Sequence, residues 1–528
     1  MLRVLRLVAS IVLVDYVSGL PRLVPDGFAS SPKPGTAGSS SVFDVEELFF
    51  DQRLDHFDRQ ELRTFRQRYF INRRYWAGAG SGAPVFLCVG GEGPPLTSNV
   101  LNASVHCNDM VELAPRHQAL LLALEHRYYG QSNPFDDWAT DSLRWLSSQQ
   151  ALEDLANFRA FISEQEDLSG GERWVTWGGS YPGMLAGWAR LKYPHLFHAA
   201  VSSSSPLLAQ LDFPQYAEVM RDSLASESPG VGGSENCASV VETGHAEIGS
   251  LLQTEEGRQR LVRMFNLCNS TALEDESARV QFAGDGVISL PIQENDPACG
   301  MPMCNIAAIC TAMTDNSLGS MVERLAIVRA VQKASLADQF QSGPVNCEIF
   351  PRAVSWHERH GAGSLSRSLL PVSAMSTSQR QLAEDPSNPD RAWIYQTCTE
   401  FGFYQTCEVG TRCPFTQGLH TLELDLQLCH RAFGITEDRV LEQVKLTNVH
   451  YGGDRPRGSR VMFPNGEIDP WHALGVLHSL GPDLPALYVS GASHHFWTHP
   501  SKSTDYPEII RARGSIWQQV TQWLEEDK

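Results

Sequence analysis

Trp174-Val175-Thr176-Trp177-Gly178-Gly179-Ser180-Tyr181-Pro182-Gly183 is the stretch that decides how this chain folds. A short apolar run ends in two glycines, then a serine, then a proline. The run reads as a buried strand. A proline at the start of a helix costs nothing, because the first helical N–H groups have no intrahelical acceptor. Strand, tight turn and helix therefore follow in that order. A serine in such a turn sits on strained backbone, and small neighbours let the chain pass closely. The helix behind it aims its first N–H groups at any negative charge that develops there. The usual form of the motif has glycine two residues after the serine, whereas this chain has Pro182 there and Gly183 one later.

Outward from this stretch, residues 84–89, 119–124, 174–177, 199–202, 460–463 and 486–489 are short apolar runs bounded by Gly or Pro. Continuous apolar runs are what a parallel sheet covered on both faces requires. Residues 148–164 carry Leu152, Leu155, Phe158 and Phe161 as a helical stripe, and 181–193 follow the 174 strand as a second helix. Strand–helix–strand alternation predicts an α/β fold with a doubly wound, mostly parallel sheet. From about 206 to 443 the pattern changes to amphipathic stretches such as 321–336, and ten of the twelve cysteines fall there. Strands then resume. The expected organisation is a sheet in two parts, 43–205 and 444–528, interrupted by a helical insertion over 206–443.

Hydrophobic residues make up 42% of the 528 and charged residues 20%, which is ordinary globular composition. Lys and Arg number 42 against 61 Asp and Glu, so 42 − 61 = −19. So acidic a surface repels phosphate, which argues against nucleic acid and anionic membranes as partners. The cysteines show no CxxC pair, and a chain this long needs no disulfides for its core. Their number points to an oxidising compartment. Arg3 and Arg6, the apolar run 7–14 and Val17-Ser18-Gly19 form a signal-peptide pattern over 1–19. Residues 20–42, rich in Ser, Pro and Gly, read as a disordered leader or propeptide. No later stretch reaches the ~18 apolar residues of a membrane span. Asn102-Ala103-Ser104 and Asn269-Ser270-Thr271 are glycosylation sequons. The expectation is a protein of the secretory pathway, lysosomal, endosomal or secreted.

A serine hydroxyl is inert at neutral pH without a base, so a histidine and an acid are needed. On a sheet of this kind they follow in the order Ser, Asp, His. Asp469 lies just after the 460 strand, and His494 follows the 486 strand after Gly491-Ala492-Ser493. The interval between them holds one helix (471–480) and one strand. Both side chains then emerge at the carboxyl edge of the sheet, beside Ser180. His495 competes for the role of His494. Two backbone donors for an oxyanion are the N–H of Tyr181 and one from the loop Gly90-Gly91-Glu92-Gly93, centred on Gly91. His494, His495 and His499 lack a nearby carboxylate for a metal site, and the His357-Glu358-Arg359-His360 spacing is not that of a zinc helix. No metal or other cofactor is expected.

These residues, with Glu125-His126-Arg127-Tyr128-Tyr129-Gly130, Asn465-Gly466, Asp469-Pro470-Trp471 and the stretch 393–404, resemble the prolylcarboxypeptidase and dipeptidyl peptidase II family of serine peptidases. The likeness runs from Gln52-Arg53-Leu54-Asp55-His56-Phe57 to the C-terminus and is weakest in the insertion. It implies an α/β-hydrolase fold with an inserted helical cap domain, and a Ser180–Asp469–His494 triad. It also implies that Trp471 lines the pocket for the residue before the cleaved bond, often proline. Glu400 and Glu125 are candidates for charge recognition, Glu400 in the substrate pocket. One departure is Phe496-Trp497, where the family often has Leu-Asp after the paired histidines.

The expected protein is a serine exopeptidase acting on peptides, with homodimerisation open. An esterase or lipase on the same fold is one alternative. A hydrolase-fold binding protein without catalysis is the other.

Overall fold

The computed structural model describes residues 45–339 and 385–526. The expected signal segment and leader, and the His357–His360 stretch, lie outside the described residues. Among the described residues ten strands occur in chain order: β1 (Val45–Arg53), β2 (Thr64–Asn72), β3 (Val85–Val89), β4 (Leu120–Leu124), β5 (Trp174–Gly179), β6 (Ala199–Ser203), β7 (Gln210–Asp212), β8 (Gly402–Tyr404), β9 (Val461–Gly466) and β10 (Ala486–Val489). Eight form one sheet in the order β1-β2-β4-β3-β5-β6-β9-β10, and β7 pairs with β8 separately. β2 runs antiparallel to β1 and to β4, and every other neighbouring pair in the main sheet is parallel. This is the α/β-hydrolase sheet.

Period-two alternation explains why the central strands are apolar throughout. Val85, Leu87 and Val89 face one side of the sheet, where they join Leu155 and Phe158 of helix Ser148–Gln165 and Met184 and Trp188 of helix Tyr181–Lys192. Phe86 and Cys88 face the other, against Met110 and Leu113 of helix Asn108–His117 and Ile509, Ile516 and Trp523 of helix Pro507–Glu525. Two cores thus flank one sheet. Each fully buried side chain of this kind contributes about 1.5–3 kcal/mol.

β4 and β5 lie on opposite sides of β3. The chain changes direction of progress across the sheet there, and a crevice opens at the carboxyl ends of β3 and β5. Gly90–Gly93 leaves β3 at that edge and Ser180 leaves β5.

β6 and β9 are neighbours, with Ala200 opposite Val461, although all of 206–443 separates them in sequence. The described part of that stretch is mostly helical. Its helices are bounded by side-chain caps: Ser234 accepts from the Cys237 N–H, Thr254 from Gly257, and Asn305 from Ala308. Tyr216, Met220, Val241, Ile248 and Ile309 extend the core that covers one face of the sheet. Where both partners lie among the described residues, disulfides join Cys88–Cys107, Cys237–Cys310, Cys299–Cys304, Cys398–Cys429 and Cys407–Cys413.

One expected element is corrected. The helix over 471–480 is only a 3₁₀ turn, Pro470–Leu474. Asn465 Nδ2 donates to the Val476 carbonyl at 3.0 Å, which draws the chain back toward β9 before a longer helix can form. Among the described residues, no helix is long and apolar enough to cross a membrane.

Candidate active site

Ser180 has φ 65° and ψ −135° at the start of helix Tyr181–Lys192. A side-chain-bearing residue there is strained, and the neighbours show why the strain is tolerated. A Cβ on Gly178 would lie 2.4 Å from the Pro182 carbonyl oxygen, and one on Gly183 would lie 2.9 Å from the Gly178 oxygen and 2.3 Å from Ser205 Oγ. Strand end and helix start therefore pass so closely that glycine is needed on both. Shifting the second glycine from two to three residues after the serine puts it where the backbones meet. The Ser180 N–H donates to the Ser203 carbonyl at 2.9 Å and fixes the turn to β6.

Asp469 is fully buried just beyond β9, and its Oδ1 accepts from the Trp471 N–H at 3.0 Å. His494 Nδ1 lies 2.8 Å from the same Oδ1. The approach is close, but the imidazole N–H is not aligned on it, so neither Nδ1 nor Asp469 Oδ2 completes a hydrogen bond among the described residues. Such bonds tighten when substrate fills a site. The His494 N–H donates to the Gln293 carbonyl at 3.2 Å. Just before it, the Glu467 carboxylate accepts from Ser490 Oγ at 2.6 Å, the Gly491 N–H at 2.7 Å and Ser228 Oγ at 2.8 Å, tying β9, the histidine loop and the insertion together.

The competing histidine is differently engaged. The His495 ring lies against Gly179, the His495 backbone N–H donates to Ser204 Oγ at 2.8 Å, and the ring Nδ1 is 3.1 Å from Thr498 Oγ1. Burial, reinforced by its neighbouring histidines, holds its pKa well below the usual imidazole range. Phe496 and Trp497, the departure from the family pattern, are buried, and Trp497 Nε1 donates to Ser203 Oγ at 3.0 Å. The loop is thus anchored to the strand beside the nucleophile elbow.

A small, partly open cavity lies at Ser180, lined also by Glu92, Tyr181, Pro206, Gln293, Trp393, Phe403 and Trp471. Trp471 packs edge-on to Tyr216 and Phe403, and its Nε1 donates to Gln293 Oε1 at 3.1 Å. Tyr181 is the first residue of its helix, so its N–H has no intrahelical acceptor. Its hydroxyl lies 2.8 Å from Gln396 Nε2 and 3.0 Å from His126 Nε2. Gly91 packs on the elbow: a Cβ there would meet Pro182 Cγ at 2.3 Å. Burial raises the Glu92 carboxyl to about 7, opposed in part by the charge of His494.

Two acidic candidates do not reach this cavity. Glu400, expected in the substrate pocket, instead accepts from the Ser148 N–H at 2.9 Å and Ser148 Oγ at 2.6 Å, holding the start of helix Ser148–Gln165. Burial lifts its pKa to about 6 against those bonds. Glu125 is ion-paired with Arg68 and accepts from Ser132 Oγ at 2.8 Å. Both are architectural because their oxygens are already taken. Of the sequons, Asn269 is exposed and Asn102 half-buried. Gln293 carried no signal in the sequence, since it opens the polar run Gln293-Glu294-Asn295-Asp296, which reads as an ordinary loop. Glu92 stood in a glycine run whose backbone drew the attention.

The sequence of residues 52–516 matches the family model described as serine carboxypeptidase S28. The chain belongs to this family. Within it, the chain is 37% identical over 487 residues to thymus-specific serine protease of Mus musculus, covering 91% of this chain and 88% of the relative. The Homo sapiens protein of that name is 34% identical over 513 residues, covering 97% and 92%. Lysosomal Pro-X carboxypeptidase of Mus musculus is 25% identical over 508 residues, covering 94% and 91%. As an S28 member the chain is a serine peptidase, and its substrates are peptides.

Proposed function

We propose that this S28 member is a serine exopeptidase of the secretory pathway, in which Ser180 is the nucleophile, His494 the base and Asp469 the group that holds the imidazole. The single observation that carries this is the approach of His494 Nδ1 to buried Asp469, at 2.8 Å, on the sheet edge where strained Ser180 meets a cavity. His494 takes the Ser180 proton as the oxygen attacks the scissile carbonyl, then gives it to the leaving amine. The Tyr181 N–H, at a helix start, and an N–H of the loop at Gly91 bind the oxyanion. Trp471 forms the wall for the residue before the cleaved bond, and proline or a small residue suits so small a cavity closed by flat rings. Limited volume also favours a chain end over an extended segment. Disulfides among the described residues, an amino-terminal signal pattern and the similarity to lysosomal Pro-X carboxypeptidase support an oxidising or lysosomal setting.

The test is Ser180→Ala with a fluorophosphonate probe and peptide amides. Labelling disappears and turnover falls by several orders of magnitude while the fold is retained. Unchanged peptidase activity would falsify the assignment. Cleavage of acyl esters with no cleavage of peptides would instead identify an esterase.

A further inference from the structure

Glu92 Oε2 is enclosed at the candidate active site and has no hydrogen-bond partner among the described residues. It lines the cavity that opens at Ser180, and Glu92 is the only charged residue lining that cavity among the described residues. Around it stand the rings of Trp393, Phe403 and Trp471, together with Tyr181, Pro206 and Gln293. Gln293 is already committed, its oxygen to Trp471 Nε1 and its amide to the Tyr216 hydroxyl. A buried polar atom without a partner is costly, and ring faces attract cations. A carboxyl in an aromatic cavity with no cationic side chain among the described lining residues is complementary to an ammonium group. A substrate's terminal carboxylate would find no lysine or arginine among the described lining residues, and would face a like charge.

We propose that Glu92 binds a cationic nitrogen of the peptide being cleaved, with the free α-amino group as its source, so that this enzyme trims from the amino end. The inference rests on Ser180 being the nucleophile and on Trp471 marking the acyl side of the scissile bond, since Glu92 shares the cavity of both. Burial raises the Glu92 carboxyl above the usual carboxylate range, and an arriving ammonium supplies the charge that stabilises the ionised form.

Three fluorogenic amides ending in proline test this: one with a free amino end, the same peptide N-acetylated, and an N-acetylated peptide carrying lysine. The wild-type enzyme prefers an ammonium-bearing substrate over the acetylated one by roughly 10- to 100-fold in kcat/KM, mostly in KM. Glu92→Gln abolishes that preference and Glu92→Asp, which keeps the charge, preserves part of it. Preference for the free amino end alone identifies the α-amino group, and cleavage of the lysine peptide alone moves the ammonium to a side chain and overturns amino-end trimming. Equal cleavage of all three by the wild-type enzyme, or an undiminished preference in Glu92→Gln, overturns the proposal. Fluorophosphonate labelling keeps the two readings apart. Labelling that survives Ser180→Ala means the nucleophile is wrong, whereas Ser180-dependent cleavage with no ammonium preference removes only Glu92.

Discussion

Two buried histidines of this chain each face carboxylates, one at the sheet edge and one in the insertion, and they are held in opposite ways. His420 is gripped at both ring nitrogens, with Nδ1 2.5 Å from Asp285 Oδ1 and Nε2 2.9 Å from Asp425 Oδ2. Burial alone would lower its pKa, but the two acidic neighbours outweigh it and hold the ring protonated to about 10. His494 faces Asp469 through Nδ1 only. A ring with both nitrogens committed is a cationic staple between helix Leu422–Phe433, which carries Asp425, and the turn after helix Glu276–Ala283. A ring held at one nitrogen can use the other to take a proton. Proximity of histidine to aspartate does not by itself mark a base. The candidate must also keep its second ring nitrogen uncommitted and stand at the sheet edge that carries Ser180.

The sharpest way to break this comparison is Asp469→Asn. The volume is kept, but an amide holds the imidazole in the wrong tautomer, and kcat for a peptide amide falls by about 10⁴-fold. The circular-dichroism melt stays close to that of the wild type. A loss under about tenfold would mean that Asp469 is a turn former only.

His420→Gln acts on the other side. Its two carboxylates lose their cation, and stability falls by about 3–5 kcal/mol in denaturant titration. Turnover per fluorophosphonate-titrated site stays at the wild-type value. The pH dependence follows the same logic. The His420 pKa rises from an ordinary 6.5 in the unfolded chain to about 10 in the fold, so its contribution is complete below 6.5. As pH rises through 10 the contribution is lost. The wild-type melting temperature declines over that window more steeply than that of His420→Gln. Parallel curves would show that His420 is neutral in the fold.

Much of the site was legible because it lies at strand ends. The runs at 84–89, 119–124, 174–177 and 199–202 match β3 to β6 to within two residues, since buried parallel strands are apolar on both faces and need no partner to be recognised. β1 and β2 were not. Edge position leaves much of β1 exposed, and Val45-Glu46-Glu47-Leu48-Phe49-Phe50-Asp51 has neither clean alternation nor an apolar run. The proposed triad of Ser180, Asp469 and His494 was suggested by the order of these residues after strands, and the structure brings His494 Nδ1 to 2.8 Å from Asp469. Glu92 and Gln293 could not be assigned roles, because what singles them out is the company they keep in a cavity built from the sheet edge and the insertion. Glu400 failed in the other direction: a glutamate in a striking motif turned out to serve the Ser148 helix start.

The smallest effect expected is also the most discriminating within the histidine pair. His495 stands beside His494, with ring centroids 4.5 Å apart, and either could be drawn as the base. Yet its Nδ1 is occupied by Thr498, its ring fills the space over Gly179, and burial keeps it neutral. It supports the elbow from behind. Replacing it with Gln leaves proton transfer intact but lets the elbow shift, and a displacement of about 1 Å costs up to about 10²-fold in kcat. His494→Gln removes the base and costs several orders of magnitude more. Steady-state rates of the two variants on one peptide amide separate these roles. If His495→Gln were the more damaging of the two, with its fold intact, the base would be the ring over Gly179, and the contact between His494 and Asp469 would belong with His420 as a structural pair.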